Sequence, residues 1–178
     1  KEDVDNNAYT NYLAHYNILL AIEYADRLKK DKPDIYERLN KAIGIDKVYS
    51  RWLDISEKAY LPKVNEDGLL PQDDTYLSLI DITEEESTLS ENPARAHKFI
   101  DKYGLKNVMV SKQADVMLLM FLFEDFFTAE IKKNNFYFYE KRCLHRSSLS
   151  LSTYSSIAAD LGEKDAAYKL YQRATMID

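Results

Sequence analysis

The chain has 178 residues, of which 46% are hydrophobic, and a formal net charge of −6 at pH 7. This length and apolar content allow one domain with a substantial core, and the negative charge argues against a nucleic-acid partner, which would face a basic surface. Cys143 is the single cysteine, which excludes a disulfide framework and favours a reducing compartment such as the cytoplasm.

Metal, cofactor and membrane functions find no support in the sequence. The three histidines, His15, His97 and His145, lie far apart without zinc-binding spacing, so we expect neither a metal nor a cofactor. The longest apolar run, residues 116–123, is too short to cross a bilayer, and we expect no membrane partner.

The first half of the chain predicts three helices followed by a long loop. Only four Gly and four Pro interrupt the chain, which favours long helices over strands. Apolar residues at helical spacing predict helices over residues 5–30, 33–44 and 46–59. Asp46 is the expected N-cap of the third helix. Periodicity fails over residues 61–92, where we expect an irregular loop that packs through its apolar residues.

Helical periodicity returns in the second half of the chain, near residues 93–103, 112–127, 128–139, 152–161 and 164–177. Ser111 and Thr128 are the expected caps of the second and third of these helices. The run 116–123 is apolar on all sides, which is typical of an enclosed helix, although eight residues could also form a buried strand. The sequence predicts an all-α fold of about eight helices in antiparallel pairs, forming a single domain over residues 1–178.

Residues 143–152 concentrate polar side chains just before a helix. They include His145, Arg146 and four serines, of which Ser147 and Ser148 come first. Hydroxyls and unpaired backbone N–H groups at a helix start can bind an oxyanion such as phosphate. The same serines can simply cap the helix, which is the favoured interpretation of this stretch taken alone.

Three functions remain open from the residues alone. The final helix pair loosely resembles the helical hairpin of an α-solenoid interaction module, although the helix spacings are irregular. A serine hydrolase would use Ser147 or Ser148 with His145, but this spacing rarely gives triad geometry and no G-x-S-x-G turn is present. The third is a carbohydrate or phosphate site among buried helices, which the fourteen tyrosines would allow.

Five segments, in order, resemble glycoside hydrolase family 65, which includes inverting phosphorylases of maltose, kojibiose, nigerose and trehalose. They are residues 3–11, Trp52 with residues 59–62, residues 70–74, Lys112-Gln113-Ala114-Asp115, and residues 145–150 followed by 158–162. Each motif alone is weak, but together they extend over essentially the whole chain.

The resemblance implies a fold and a site. The fold is part of an (α/α) barrel of six concentric helix pairs, and the rest of that barrel is an expected partner. Lys112 and Gln113 match residues that hold the glucosyl unit of an α-linked disaccharide. His145, Ser147 and Ser148 match positions that bind the attacking phosphate. Inorganic phosphate is then a co-substrate, and its attack, assisted by a single carboxylic acid, gives β-glucose 1-phosphate with inversion.

The catalytic acid that the resemblance implies is a glutamate in a Gly-Pro-Asp-Glu-Tyr motif, expected just upstream of Lys1. We therefore expect no catalytic residue within residues 1–178 and no phosphorolysis by the chain alone. Glu2 and Asp3 are not expected to replace this acid. A partial barrel would leave apolar helix faces uncovered, so we expect the chain to self-associate, or the parent protein to form a homodimer.

Arg146 departs from the family pattern. A cation beside a phosphate site can strengthen oxyanion binding or meet a second phosphate on the substrate, which would favour a phosphorylated disaccharide. An arginine that faces solvent or pairs with a carboxylate is the simpler explanation. Two alternative functions also remain: a hydrolase of the same family, in which water replaces phosphate, and a non-catalytic helical interaction domain.

Overall fold

The computed structural model describes residues 4–83, 89–91 and 93–177. Within these ranges the chain forms eight α-helices: α1 (Ala8–Asp31), α2 (Pro33–Ile43), α3 (Ile45–Lys58), α4 (Pro93–Tyr103), α5 (Asp115–Leu122), α6 (Ala129–Arg142), α7 (Ser148–Asp160) and α8 (Lys164–Ala174). Extended pairing in the same ranges is limited to two isolated parallel bridges, Ile80 with Val108 and Ser111 with Cys143. The predicted all-α fold is confirmed. None of the described helices is long and apolar enough to cross a membrane.

The chain divides into two compact units, each with its own packing. One unit is Thr10–Leu61, and the other combines Lys1–Tyr9 with Pro62–Asp178. In the first unit, the buried side chains of Ala25, Tyr36 and Ile45 form a small core. The second unit carries every residue that the sequence predicts to bind sugar or phosphate. The single domain predicted over residues 1–178 stays a prediction.

Gly44 joins α2 to α3. Its φ of 72° lies in the left-handed region, which glycine adopts without steric cost. Because this glycine already turns the chain into α3, the helix begins at Ile45 and Gly44 occupies the N-cap position. The prediction of Asp46 as the N-cap is therefore wrong. Asp46 lies in the first turn instead, where its carboxylate accepts a hydrogen bond from the Tyr36 hydroxyl at 2.6 Å.

The irregular segment after α3 packs against the core, as predicted. Four of its apolar side chains are 2% exposed or less: Leu70, Tyr76, Ile82 and Leu89. The Tyr139 hydroxyl of α6 donates to the Leu70 carbonyl at 2.6 Å. Side-chain partners of this kind are needed because an irregular segment leaves buried backbone groups unpaired. Residues 84–88 and 92 of the predicted loop lie outside the described residues.

The start of α5 differs from the prediction. Ser111 does not cap this helix, which begins at Asp115. Ser111 is buried and forms the backbone bridge to Cys143. The backbone of Ser111 therefore pairs with a distant segment instead of leading directly into a helix. Lys112 and Gln113, which were expected in the first helical turn, lie in an exposed bend between the bridge and α5.

Helices α5 to α8 form the core of the larger unit. Helix α7 packs along α8, and α5 and α6 both contact α7. Met117, Leu119 and Met120 of α5 are completely buried, as an apolar run without a polar face predicts. Phe136 of α6 and Tyr154 of α7 meet with ring centroids 5.8 Å apart. This packing fixes the position of the first turn of α7.

Arg142, the last residue of α6, is buried although it is charged. Only 8% of this residue is exposed, and its guanidinium lies 3.8 Å from the centroid of the Phe138 ring. One amino group donates to the Phe138 carbonyl at 2.6 Å, and the other forms an ion pair with Asp81. A buried guanidinium needs such partners because its transfer out of water is costly. The ion pair therefore ties the segment around Asp81 to the end of α6.

We expect Asp81→Ala to lower the free energy of unfolding by about 2 kcal/mol, because the buried Arg142 guanidinium would lose its carboxylate partner. Lys133→Ala removes a more exposed ion pair, with Glu163, and should change the same quantity by less than about 0.5 kcal/mol. Urea unfolding of the three proteins measures both effects. Equal losses from the two substitutions would contradict a structural role for the Asp81–Arg142 pair.

Candidate functional site

The parallel bridge at Ser111 brings two of the predicted site segments together. The Ser111 N–H donates to the Arg142 carbonyl at 2.9 Å, and the Leu144 N–H donates to the Ser111 carbonyl at 2.9 Å. Because the pairing is parallel, the two segments leave it in the same direction, about 5 Å apart. Residues 112–113 and 145–148 therefore start side by side.

Two further segments of the family pattern pair with each other just before α1. The Asn6 amide donates to the Asp74 carboxylate at 2.7 Å, and the Ala8 N–H donates to the Gln72 carbonyl at 2.9 Å. Asn6 has a φ of 54°, in the left-handed region that asparagine tolerates better than most residues. These contacts hold residues 6–8 against residues 72–74 within the larger unit.

Asp115 connects the start of α5 to that pairing. Its carboxylate accepts a hydrogen bond from the Asn7 side chain, and burial raises the pKa of Asp115 while this hydrogen bond opposes the rise. Since Asp115 follows Gln113 by two residues, the contact also links the exposed bend to the start of α1. Four segments of the family pattern thus lie in one unit, around residues 5–8, 70–74, 112–115 and 145–148.

The serine-rich stretch begins α7 at Ser148, earlier than the predicted start near residue 152. Ser147 is the N-cap, and its hydroxyl oxygen accepts a hydrogen bond from the Ser150 N–H at 3.4 Å. The first N–H groups of a helix have no acceptor within it, and in α7 these are the N–H groups of Ser148 and Leu149. The hydroxyls of Ser147 and Ser148 belong to the same turn. This end of α7 has the donors and the dipole orientation that an oxyanion needs.

His145 faces the core and not the surface formed by these serines. Its side chain is 0% exposed, and its ring lies edge-on to Tyr154 with centroids 4.7 Å apart. Burial, together with the charge of Arg173, lowers the pKa of His145 to about 4, so the imidazole is neutral at pH 7. The assignment of His145 as a phosphate ligand stays a prediction, and in this structure the ring contacts the inside of the turn.

Two cations lie on the segments that leave the bridge. Lys112 and Arg146 are exposed, as is Gln113. The Arg146 guanidinium donates to Nε2 of His97 on α4, because a guanidinium has only donors. Two positive charges beside a helix N-terminus favour an anionic ligand. The role of Arg146 towards a second phosphate stays a prediction.

The polar groups of this region do not form a metal site. Among the described residues, no group of three His, Cys, Asp or Glu side chains could hold a metal ion. Beside the bridge lie an exposed amide, ammonium and guanidinium and the half-buried hydroxyls of Ser147 and Ser148, and most of the polar atoms in this set are hydrogen-bond donors. Such a set suits phosphate oxygens and sugar hydroxyls.

Two contacts of this region were missed from the sequence. The first is the hydrogen bond between Asn7 and Asp115. Both residues lie within segments that carry the family pattern, so their polar side chains, just before α1 and at the start of α5, could have indicated a contact between these segments. Glu140 of α6 gave no signal at all. Its Oε1 lies 4.0 Å from Nε2 of His145, a contact that depends on how α6 packs against α7.

Comparison with known proteins identifies the family. Residues 1–178 match the model of the glycosyl hydrolase family 65 central catalytic domain. An alpha,alpha-trehalose phosphorylase of Thermoanaerobacter brockii is 35% identical over 177 residues, which are 98% of this chain and 22% of that protein. A kojibiose phosphorylase of Caldanaerobacter subterraneus subsp. tengcongensis is 33% identical over 178 residues, which are 99% of this chain and 23% of that protein. The chain belongs to glycoside hydrolase family 65.

A solved structure extends this similarity to the fold. A protein described as a kojibiose phosphorylase from the human microbiome matches with a TM-score of 0.74 and 28% sequence identity, over 94% of this chain and 23% of that one. The match confirms the prediction that the chain forms part of an (α/α) barrel of six helix pairs. The chain spans less than a quarter of the length of these relatives.

The low pKa of His145 predicts a pH dependence of stability. The folded value is about 4, whereas an unfolded histidine titrates near 6.5. Between these values the unfolded state binds a proton that the folded state does not, so stability is lost as the pH falls from about 6.5 towards 4. At pH 4.5 this loss should reach about 2.5 kcal/mol relative to pH 7.

Urea unfolding of the chain at pH 7 and pH 4.5 measures this loss, and His145→Asn isolates the contribution of the imidazole. We expect the variant to be less stable at pH 7 but to lose less stability on acidification than the unsubstituted chain. The same loss in both proteins would show that the ring is not held neutral in the core.

Proposed function

We propose that the protein containing this chain is an inverting disaccharide phosphorylase. It cleaves an α-linked glucose disaccharide with inorganic phosphate, releases β-glucose 1-phosphate and needs no cofactor. Family membership supports the class of reaction. The observation that carries the proposal is the backbone bridge at Ser111, because it holds the predicted sugar-binding and phosphate-binding segments side by side.

In this proposal the start of α7 binds the attacking phosphate. The Ser147 oxygen accepts from Ser150 N–H, which leaves its hydroxyl hydrogen available for the anion, and Ser148 supplies a second hydroxyl. The N–H groups of the first turn and the positive end of the helix dipole, equivalent to roughly half a charge, add to the attraction. His145 acts through the turn that carries both serines, by packing beneath it.

Lys112 and Gln113 bind the glucosyl unit whose bond is broken. The ammonium donates up to three hydrogen bonds, and the amide both donates and accepts, so the pair can hold neighbouring sugar hydroxyls. Because residues 112–113 leave the bridge next to residues 145–148, a glucosyl unit held there lies close to phosphate at α7. Binding both reactants in one orientation removes much of the entropic barrier to their reaction.

The chemistry requires one acid and no base. A carboxylic acid, expected outside residues 1–178, protonates the glycosidic oxygen as the bond from that oxygen to C1 breaks. A phosphate oxygen forms a bond to C1 from the opposite face, so the configuration inverts and the second sugar leaves with the proton. Phosphate is already an anionic nucleophile, which explains why hydroxyl and N–H donors, and no second carboxylate, suit this site.

The wider setting of the protein follows from the same proposal. The remainder of the barrel, outside residues 1–178, supplies the acid and completes the sugar site. The exposed aromatic and aliphatic residues of α5 and α8, among them Phe121, Leu122, Tyr168 and Tyr171, give the isolated chain a surface for self-association. A cytoplasmic location suits the single buried thiol of Cys143.

In the full-length protein, Ser148→Ala or Lys112→Ala should lower kcat/KM for phosphorolysis of the preferred α-linked disaccharide by roughly 100-fold, since each removes a donor from a reacting group. Ser152→Ala is the matched control, because Ser152 is exposed one turn further along α7 and its hydroxyl donates to the Leu149 carbonyl at 3.0 Å. Steady-state assays with maltose, trehalose, kojibiose and nigerose, with and without phosphate, measure the effect.

Cleavage that does not depend on phosphate would identify a hydrolase. Unchanged activity in both variants would refute this site.

The 178-residue chain alone should release no glucose 1-phosphate from any of these disaccharides, because the proposal places the proton donor outside it. An enzymatic assay for the sugar phosphate, with a purified full-length family member as the positive control, measures this. Release by the chain alone at a rate above the buffer blank would contradict the assignment of the acid.

A further inference from the structure

The turn between the bridge and α7 has a strained residue at its centre. His145 has a φ of 47°, in the left-handed region that non-glycine residues seldom adopt because their Cβ crowds the backbone. Ser147 follows two residues later as the N-cap of α7. The direction in which the chain enters α7 therefore depends on contacts that hold the His145 side chain.

Hydrogen-bond directions assign the tautomer of this imidazole. The Ser150 hydroxyl lies 3.1 Å from the Ser147 carbonyl, which can only accept, so Ser150 donates to it. His145 Nδ1 lies 3.3 Å from the same hydroxyl oxygen, and it must then be the donor in that contact. The proton of the neutral ring is on Nδ1, and Nε2 carries a lone pair.

That lone pair faces a carboxyl group. Among the described residues, Nε2 is buried without a hydrogen-bond partner, and Oε1 of Glu140 lies 4.0 Å from it, beyond hydrogen-bond distance. Burial, with a smaller effect of Glu91, raises the pKa of Glu140, while the charges of Arg173 and Lys141 oppose the rise. The 4.0 Å separation is longer than a hydrogen bond, so a small rotation of the Glu140 side chain is needed for a protonated carboxyl to donate to the Nε2 lone pair.

We propose that Glu140 is a positioning residue, which holds the His145 ring and so sets the turn that presents Ser147 and Ser148. Glu140 lies on α6 and reaches the turn from the core side, whereas Ser150 holds the opposite ring nitrogen from within α7. The Tyr154 ring, edge-on to the imidazole, restricts rotation of the His145 side chain from a third side. The effect on phosphate rests on the proposed function, but the effect on the His145 ring does not.

Two substitutions of Glu140 separate its hydrogen-bonding role from its bulk. Glu140→Gln keeps a polar group whose amide can donate to Nε2, whereas Glu140→Leu fills the same space without a donor. Glu130→Gln and Glu130→Leu are the matched controls, since Glu130 is exposed at the other end of α6. Circular dichroism of the 178-residue variants checks that the helices are retained.

The first readout is the ¹⁵N spectrum of the His145 ring, which distinguishes a protonated from an unprotonated nitrogen. We expect Nδ1–H and bare Nε2 in the unsubstituted chain and in Glu140→Gln, and exchange broadening or a mixture of tautomers in Glu140→Leu. The second readout is the affinity for inorganic phosphate. Loss of the contact that we propose between Glu140 and the His145 ring, taken at about the strength of one hydrogen bond, predicts a dissociation constant about tenfold larger in Glu140→Leu only.

Three results would overturn the role of Glu140. They are a proton on Nε2 in the unsubstituted chain, an unchanged His145 spectrum in folded Glu140→Leu, and a loss in Glu140→Gln as large as in Glu140→Leu. If Glu140→Leu does not fold, the tautomer of the unsubstituted chain and the behaviour of Glu140→Gln decide the question. Absence of phosphate binding by the unsubstituted chain would count against the proposed function, while the ring spectra would still judge Glu140.

Discussion

The arrangement of the site depends on one short backbone pairing. Two hydrogen bonds, from Ser111 N–H to the Arg142 carbonyl and from Leu144 N–H to the Ser111 carbonyl, join segments that lie more than thirty residues apart in sequence. A pairing of two residues contributes little stability by itself. Its importance is geometric, because the residues that follow each partner are the ones the family pattern assigns to sugar and phosphate.

The surrounding structure holds this pairing from three sides. Arg142 contributes its carbonyl to the bridge, and its buried side chain is fixed by Asp81 and the Phe138 ring. The Ser111 hydroxyl lies 3.2 Å from the hydroxyl of Tyr76, a residue of the packed irregular segment. Since buried polar groups are costly unless they are paired, each of these contacts restricts the alternatives available to the others. The site thus rests on a core of interlocked side chains.

Two neutral buried groups, His145 and Cys143, lie beneath two exposed cations. Burial keeps the His145 ring uncharged, and it raises the pKa of the Cys143 thiol to about 11, so neither group carries charge near pH 7. Lys112 and Arg146 lie outside, in contact with solvent. An anion at the start of α7 would therefore meet cations at its entrance and neutral donors at the helix, a distribution that attracts phosphate without requiring a buried charge.

The sequence predicted the elements that local chemistry determines. Gly44 ends α2 because of its left-handed φ, and Thr128 caps α6 as expected, its hydroxyl accepting from Ile131 N–H at 3.3 Å. Helical periodicity gave the positions of the long helices to within a few residues. The family pattern supplied the candidate site residues by their order along the chain, and their roles stay a proposal.

Predictions failed where a distant partner overrides a local preference. Ser111 has the chemistry of a cap, but its backbone pairs with Cys143, a partner that no local window contains. Ser147, whose assignment to phosphate stays a prediction, is the N-cap of α7. The burial of His145 and its approach to Glu140 depend on the packing of α6 against α7, which spacing along the chain does not encode.

Titration of the 178-residue chain with inorganic phosphate, followed in its ¹H–¹⁵N amide spectrum, tests the proposed site most directly. We expect saturable shifts that concentrate on the amides of Ser148 and Leu149 and on the adjacent residues 112–113. Shifts confined to one of these segments, or scattered over lysines elsewhere on the surface, would contradict a single site built on the pairing of Ser111 with Cys143.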